Sequence, residues 1–355
     1  MYHARHRFHP PLLHTGCHGV SSRAGCSRIL RENSPIIPYP HAWYLIGTVS
    51  ELKHGPVVRE LIGKRLVCFL TESGRAGVLS SDCVHMGADL GNGKVVGEAL
   101  QCPLHNWCFE SDGRCSSIPV SRKIPPFAKQ NSYPTAIRNG HVYFFNGREP
   151  EYALPFFEDF EESDLTAAKP FIEHLSCPWY MVGANAVDVQ HFSIAHSRRM
   201  QKPPEVDYPH PHVHRTVCHF EIAGHSLFDK LTERFGGRDI RLEIADWSST
   251  MIFARSTLKN TETLGFVTLT PLGPNRTIGH VTVFAKRHEN ALQRQLLDPL
   301  RAWVRRILIR AFLRSDVDRL SRARYSPNTL IEIDNQFNEY FHWLKELAVI
   351  GNNNS

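Results

Sequence analysis

Two short segments, Cys83-Val84-His85 and Cys102-Pro103-Leu104-His105, decide how the first part of this 355-residue chain is interpreted. Each presents one thiol and one imidazole two or three residues apart, and sixteen residues separate the segments. Thiolates and imidazoles are ligands for transition metals, so the pattern predicts one metal centre held between two loops. Glycines follow both segments, as is typical of loops: Gly87, Gly91, Gly93 and Gly113.

The spacing separates two kinds of metal centre. A Cys₂His₂ zinc site usually takes its cysteines from one pair and its histidines from another. Here each loop supplies one of each, so the loops can hold opposite ends of a two-iron cluster, with two cysteines on one iron and two histidines on the other. The pattern therefore favours a Rieske [2Fe–2S] cluster on Cys83, His85, Cys102 and His105. Trp107 follows the second loop and is expected to shield it.

The loops lack the extra cysteines that form a disulfide between them in Rieske proteins of the respiratory type. Cys108 and Cys115 lie in the second loop or after it, so neither can link the two loops. Fewer hydrogen bonds and no disulfide predict a reduction potential at the low end of the Rieske range, about −150 mV. Such a centre takes electrons from a ferredoxin or a flavin reductase rather than from quinol.

A second polar cluster comprises Asn185, Asp188, His191 and His196, about eighty residues after the first. Asp188 and His191 are three residues apart and are expected to share one face of a helix. His196 would lie well over 100° around an ideal helix from His191. Both imidazoles can bind one metal only if the helix bends or unwinds near Phe192.

The pattern N-x-x-D-x-x-H-x-x-x-x-H, placed after the Cys-His pairs, resembles the Rieske non-heme iron oxygenase family and its alpha-type oxygenase component. The resemblance runs from about Trp43 to Trp343. It implies that His191, His196 and a distant carboxylate bind a mononuclear Fe(II) and leave positions open for O₂.

The same resemblance implies roles for two further residues. Asp188 would connect His105 or His85 of a neighbouring subunit to His191, because a carboxylate can orient a metal-bound imidazole. Asn185 would either lie beside the iron or cap a helix. Head-to-tail packing of this kind closes into a ring, so a homotrimer is expected.

The third iron ligand is sought in the last long helix, which offers Asp316 and Asp318, with Asp334 further on. Asp316 falls in an apolar stripe, where an unpaired carboxylate is costly unless it meets a metal or a strong donor. Asp318 lies four residues from both Arg314 and Arg322, as in a surface ion pair. Asp316 is therefore the preferred ligand, and Asp318 and Asp334 remain alternatives.

The fold class is expected to be α+β. Short strands within residues 57–79 and 140–145, separated by Gly and Pro, predict a small all-β cluster domain over residues 35–150. Helical segments at 183–196, 292–320 and 335–347 enclose five alternating strands between residues 217 and 285. They predict a helix-and-antiparallel-sheet iron domain over residues 151–350. Residues 1–34 are basic and His-rich and are expected to be a disordered extension.

Composition excludes several other classes of protein. Residues 1–34 contain five arginines and one glutamate, which accounts for +4 of the net charge of +6, so nucleic-acid binding is not indicated. Nine cysteines in so long a chain indicate no disulfide framework, and a cytoplasmic location is expected. The last long helix carries six arginines: Arg294, Arg301, Arg305, Arg306, Arg310 and Arg314. The preferred interpretation is that they form a solvated helix surface. Docking of these arginines to an acidic ferredoxin or to a membrane surface stays open.

The combined motifs predict an enzyme that receives electrons from NAD(P)H only indirectly, through a reductase or ferredoxin. The expected reaction is O₂-dependent mono-oxygenation (hydroxylation, demethylation or N-oxygenation) of an organic substrate. Two alternatives remain: a ring-dihydroxylating dioxygenase, and a Rieske electron-transfer protein without oxygenase chemistry.

Overall fold

The computed structural model describes residues 37–352. In the part of the chain before residue 146, short strands dominate. The extension expected over residues 1–34 lies outside the described residues. Three small antiparallel sheets form here, in the orders β1-β11-β10, β2-β3-β4-β9 and β5-β6-β7-β8. Their strands are β1 Trp43–Thr48, β2 Val57–Leu61, β3 Lys64–Leu70, β4 Ala76–Ser80, β5 Lys94–Val96, β6 Ala99–Gln101, β7 Cys108–Glu110, β8 Cys115–Ser117, β9 Ser132–Tyr133, β10 Thr135–Arg138 and β11 His141–Phe145.

One large antiparallel sheet dominates the chain after residue 164. Its central order is β12-β20-β19-β18-β17-β16-β14, with β13 paired to β20 and β15 to β16. Its five longest strands lie side by side, and buried and half-buried side chains alternate along one of them, Val213–Ile222. The strands of this sheet are β12 Leu165–Ala167, β13 Phe171–Leu175, β14 Arg198–Met200, β15 Glu205–Asp207, β16 Val213–Ile222, β17 Asp239–Trp247, β18 Met251–Leu258, β19 Thr261–Gly273 and β20 Arg276–Lys286.

The large sheet is accompanied by helices before and after it in the chain, which confirms the predicted α+β class. The 29-residue helix lies against β20, β12 and β13, where Ile309 and Leu313 pack on Phe171, Val281 and Val283. Among the described helices, none has the length and apolar content needed to cross a bilayer. The α-helices are α1 Val49–Leu52, α2 Tyr180–Ala186, α3 Val189–His196, α4 Leu227–Gly236, α5 Ala291–Arg319 and α6 Asn335–Asn352.

An apolar cluster joins the small sheets to the large one. Trp43 of β1 and Phe145 of β11 belong to the same buried cluster as Phe253 of β18 and Phe266 of β19. The described residues accordingly form one compact unit. The division into domains at residue 150 remains a prediction, although the two kinds of sheet do lie on either side of it.

A buried polar contact fixes α2 and α6 against the sheet. The Tyr340 hydroxyl donates to Asp246 Oδ2 at 2.7 Å, and the Ser249 N–H donates to Asp246 Oδ1 at 2.7 Å. Burial is the main reason that the pKa of Asp246 is raised, to about 7. A Cβ at Gly183 in α2 would come within 1.9 Å of the Tyr340 hydroxyl and 2.4 Å of Asp246 Oδ2. Only glycine therefore allows α2, which carries Asn185, to pack this closely.

Candidate metal centres

The two cluster loops have nearly the same backbone. In the first, the Cys83 N–H donates to the Ala88 carbonyl and the Gly87 N–H donates to the Cys83 carbonyl. In the second, the Cys102 N–H donates to the Trp107 carbonyl and the Asn106 N–H donates to the Cys102 carbonyl. The residue four positions after the cysteine has a positive φ in both loops, 72° at Gly87 and 58° at Asn106. The two loops thus have similar backbone conformations around their cysteines.

The four predicted cluster residues lie together, with the sulfur side buried and the imidazole side open. Cys83 and Cys102 are 3% and 2% exposed, and their side chains are within hydrogen-bond reach of each other. The rings of His85 and His105 lie 4.9 Å apart, with His85 half-buried and His105 exposed. This arrangement fits a two-iron cluster whose histidine-bound iron is nearest the surface.

Trp107 covers one side of the pair, as the sequence predicts. Its ring stacks on His85 at a centroid distance of 4.2 Å and an interplanar angle of 9°. Burial raises the pKa of the Cys83 thiol to about 11, so metal binding there must displace a proton. Cys108 and Cys115 are free thiols, so no disulfide joins the loops within residues 37–352.

The second polar cluster is built on two short helices rather than one. Helix α2 ends at Ala186, Asp188 is the N-cap of α3, and α3 continues through Phe192 to His196. The expected unwinding near Phe192 is therefore wrong. The chain breaks before Asp188 instead, and it widens after His196, where the Ser197 N–H donates to the Phe192 carbonyl five residues earlier.

Both imidazoles of α3 converge on one carboxylate of α5. Asp316 Oδ1 lies 2.9 Å from His191 Nε2 and 2.8 Å from His196 Nε2, and the two nitrogens are 3.1 Å apart. The three side chains are 8%, 3% and 12% exposed for His191, His196 and Asp316. Phe312, one turn before Asp316, stacks on the His196 ring at 3.7 Å.

The triad meets the geometric demands of a mononuclear metal site. Its ligand atoms all lie within 4.8 Å of one another. Three ligands at right angles, each about 2.1 Å from a metal, lie about 3 Å apart, which matches the observed spacings. Burial would raise the pKa of Asp316, but hydrogen bonds from His191 and His196 outweigh it and the pKa is lowered. A buried, ionised carboxylate between two imidazoles suits a divalent cation.

The two alternative carboxylates lie elsewhere. Asp318 is exposed, and within the described residues it forms no ion pair with Arg314 or Arg322, contrary to expectation; Arg322 lies beyond the end of α5. Asp334 caps a short turn and accepts a bond from Gln190 Nε2 at 3.2 Å. Neither belongs to the group of donors formed by the triad.

Asp188 and Asn185 lie at the entrance to α3. The sequence suggested that Asp188 and His191 share one face of a helix, but Asp188 precedes the first residue of α3. As the N-cap it accepts the His191 backbone N–H at 3.0 Å. Asn185 Nδ2 lies 3.4 Å from His191 Nε2, which places this amide beside the triad.

A buried ion pair that the sequence did not indicate fixes the far end of α3. Arg198 Nη1 donates to the His196 carbonyl at 2.9 Å and to Asp229 Oδ1 at 2.7 Å. Both side chains are less than a tenth exposed. Asp229 comes from α4, thirty-one residues away, so no local pattern could have indicated the pair.

Comparison with known proteins agrees with this arrangement of cluster loops and triad. Residues 42–131 match the model of the Rieske [2Fe-2S] domain, inside the predicted 35–150 segment. The chain is 32% identical over 163 residues to "Cholesterol 7-desaturase nvd 1" of Ciona intestinalis. It is also 32% identical over 167 residues to the oxygenase component of a 3-ketosteroid-9-alpha-monooxygenase of Rhodococcus rhodochrous. These matches cover 44% of this chain in both cases, and 35% and 43% of the relatives, so they span less than half of either relative.

Solved structures share the fold over most of the chain. NdmA of Pseudomonas putida CBB5 with caffeine has a TM-score of 0.66 at 16% identity, covering 87% of this chain and 90% of that one. Dicamba monooxygenase with non-heme iron and dicamba has a TM-score of 0.62 at 18% identity, covering 89% and 98%. The chain thus carries a Rieske [2Fe–2S] domain, and in sequence and fold it resembles the oxygenase components of Rieske non-heme iron oxygenases.

Replacement of one cluster cysteine tests the first centre. Cys102→Ser should abolish the visible iron–sulfur absorption of purified protein, because a serine oxygen is a poor ligand for this iron. Cys218→Ser, at an equally buried thiol of β16, serves as the matched control and should keep the spectrum. An unchanged spectrum in Cys102→Ser would refute the assignment.

Replacement of carboxylates on α5 tests the second centre. Asp316→Ala should lose the mononuclear iron and keep the cluster, because it removes the one carboxylate that both imidazoles contact. Asp318→Ala, two residues away on the same helix but exposed, should keep both. Metal analysis decides the matter, and equal iron retention in the two variants would direct attention to Asp334.

Proposed function

We propose that this chain is the oxygenase component of a Rieske non-heme iron mono-oxygenase system. In this proposal the cluster ligands are Cys83, His85, Cys102 and His105, and the ferrous iron ligands are His191, His196 and Asp316. The observation that carries the proposal is the buried convergence of two imidazoles and one carboxylate within 4.8 Å, in a chain that also holds a Rieske domain. An electron-transfer protein has no need of that triad.

When bound, the cluster supplies electrons and the iron activates O₂, which is chemistry that the side chains alone cannot perform. The net reaction takes two electrons and two protons, adds one oxygen atom to the substrate and releases the other as water. A ferredoxin or flavin reductase would supply the electrons, ultimately from NAD(P)H. The exposed imidazole side of the cluster loops, with His105 at the surface, supports electron entry at that face.

The protein's own part is to hold the ligands and exclude water. The Asp188 carboxylate fixes the start of α3, and Arg198 fixes its end through the His196 carbonyl. Phe312 holds the His196 ring by stacking. Asn185 can donate a hydrogen bond to a polar group bound beside His191. We propose that Asn185, beside the triad, and Asp188, at the start of α3, support catalysis.

A steroid or sterol is the substrate class that the proposal favours. The named relatives act on cholesterol and on 3-ketosteroids, and they match at about twice the identity of the structures named for caffeine or dicamba. The core that packs beside the triad, formed by α3 and the large sheet, is apolar: Phe192, Cys218, Phe220, Ile244, Ile252 and Leu269. A cytoplasmic location remains part of the proposal.

A labelled turnover experiment tests the proposed reaction. Enzyme, a surrogate reductase, NADH and ¹⁸O₂ are incubated with cholesterol or a 3-ketosteroid, and products are identified by mass spectrometry. One ¹⁸O in a hydroxylated product is expected, and none in Asp316→Ala. A diol with two labels would indicate dioxygenation. An unlabelled desaturated product would indicate desaturation in place of mono-oxygenation. Reductase-dependent cluster reduction without any product, across a broad panel of organic compounds, would contradict the oxygenase.

A ring of subunits, with a trimer expected, completes the proposal. In it the exposed His105 of one subunit lies near Asp188 of the next, which is half-buried and has one carboxylate oxygen engaged by the His191 N–H. Electrons would then cross between subunits at Asp188.

Asp188→Asn separates this bridging role from helix capping. Asparagine caps helices as well as aspartate, so the variant should fold and keep both metal centres. Loss of the charge should slow single-turnover oxidation of the pre-reduced cluster in the presence of substrate, by about tenfold or more. Asp188→Ala, which also loses the cap, serves for comparison. Unchanged cluster oxidation in Asp188→Asn, or a fully active monomer by light scattering, would contradict the bridge.

A further inference from the structure

The 29-residue helix α5 is apolar on the side that faces solvent as well as on the side that faces the sheet. A surface helix normally buries one apolar stripe and exposes polar residues on the opposite side. Here the side away from Asp316 carries eight large apolar residues, which we name the outer face of α5. They are Leu292, Leu296, Leu297, Leu300, Trp303, Val304, Ile307 and Leu308, each at least 36% exposed.

The outer face has a helical order along its length. Leu292, Leu296, Leu300, Trp303 and Ile307 follow one another at intervals of three or four residues, so they form one continuous stripe. The stripe is about 24 Å long at 1.5 Å per residue. Leu292, Leu296 and Trp303 are 65%, 63% and 54% exposed, so no other described segment covers them. A patch this long marks an interaction site rather than scattered surface residues.

The same stripe becomes basic in its next two turns. Arg310 and Arg314 continue the interval of three and four residues after Ile307, and both are exposed. Arg310 lies 3.4 Å from Glu173, its one ion pair in the described chain, and Arg314 has none there. Of the acids of α5, Asp298 is fully buried and Asp316 faces the triad; Asp318 is exposed four residues after Arg314, but the two form no ion pair in the described chain.

A basic flank accompanies the stripe. Arg306 donates to the Lys169 carbonyl at 2.7 Å, which brings the exposed Lys169 beside α5. An occupant of this surface must therefore accept large apolar side chains and carry negative charge next to them. A second copy packed through this same face would bring its own arginines rather than negative charge, so it meets the first requirement but not the second.

We propose that the outer face of α5 docks the protein on the surface of an anionic lipid bilayer. Leucine, isoleucine and tryptophan side chains would enter the boundary between headgroups and acyl chains, and the arginines would bind lipid phosphates. The helix lies on the membrane in this arrangement and does not cross it. If the substrate is a sterol, as the proposed function holds, docking brings the enzyme to the phase in which sterols dissolve.

Vesicle flotation with the full chain tests the proposal. Wild-type protein should float with vesicles of phosphatidylcholine and phosphatidylserine, and less with phosphatidylcholine alone. Leu300→Gln/Trp303→Gln should lower the partition coefficient about tenfold or more. Leu231→Gln, at a 45% exposed leucine of α4, is the matched control and should float like wild type. Arg310→Glu/Arg314→Glu should lose binding to the anionic vesicles and leave the weak binding to neutral ones.

Independent readouts separate this result from turnover. Brominated lipids should quench tryptophan fluorescence in wild type and much less in Trp303→Phe. Cluster absorption and bound iron should be the same in all variants, because the outer face lies opposite Asp316, so a failed oxygenase assay would leave the lipid result standing. Absence of flotation, or equal flotation of wild type and Leu300→Gln/Trp303→Gln, would overturn the proposal. So would self-association without lipid that the same double substitution abolishes, since that result assigns the face to a second copy.

Discussion

The buried carboxylate of Asp316 is the constraint on which the second half of the molecule depends. Removing an ionised carboxylate from water is costly, and the cost is acceptable only where donors or a cation replace the lost hydration. Two imidazole nitrogens approach its Oδ1 within 3 Å, and they come from a different helix. Helices α3 and α5 must therefore be held in one relative position, and the surrounding structure provides this.

Several contacts far apart in sequence maintain that position. Asp188 and Arg198 hold the two ends of α3, and the apolar stripe of α5 packs on β13 and β20. Helix α2 approaches the sheet closely because residue 183 is glycine, beside the buried Asp246–Tyr340 contact. The side chains that touch the triad are thus supported by backbone contacts and buried charge, so a change at a distant support can displace a ligand.

The two centres differ in exposure in a way that suits their proposed roles. The cluster loops bury their thiols and present His105 to solvent, so electrons can enter or leave at the protein surface. The triad is closed to solvent, which limits side reactions of activated oxygen with water and buffer. An aromatic cluster that includes Trp43 and Phe266 joins the small sheets to the large one, so the two parts form one compact unit.

The sequence predicted features that follow from short-range spacing. The pairing of the two Cys-His loops, the α+β order of strands and helices and the burial of Asp316 could all be predicted from local spacing. The predicted unwinding near Phe192 was wrong, because α3 continues through Phe192 to His196 and the backbone departs from the regular pattern only after it, where the Ser197 N–H donates to the Phe192 carbonyl. The Arg198–Asp229 pair and the outer face of α5 were missed. The first joins distant residues, and the second appears only when the sheet-facing side of the helix is known.

The central claim is that one chain holds two separate iron centres, a [2Fe–2S] cluster and a mononuclear iron at His191, His196 and Asp316. Iron and acid-labile sulfide, measured per chain in purified protein after anaerobic reconstitution, test it most directly. The account predicts about three irons and two sulfides per chain, two irons and both sulfides belonging to the cluster. About two irons with two sulfides, in protein whose visible spectrum shows a fully formed cluster, would contradict it.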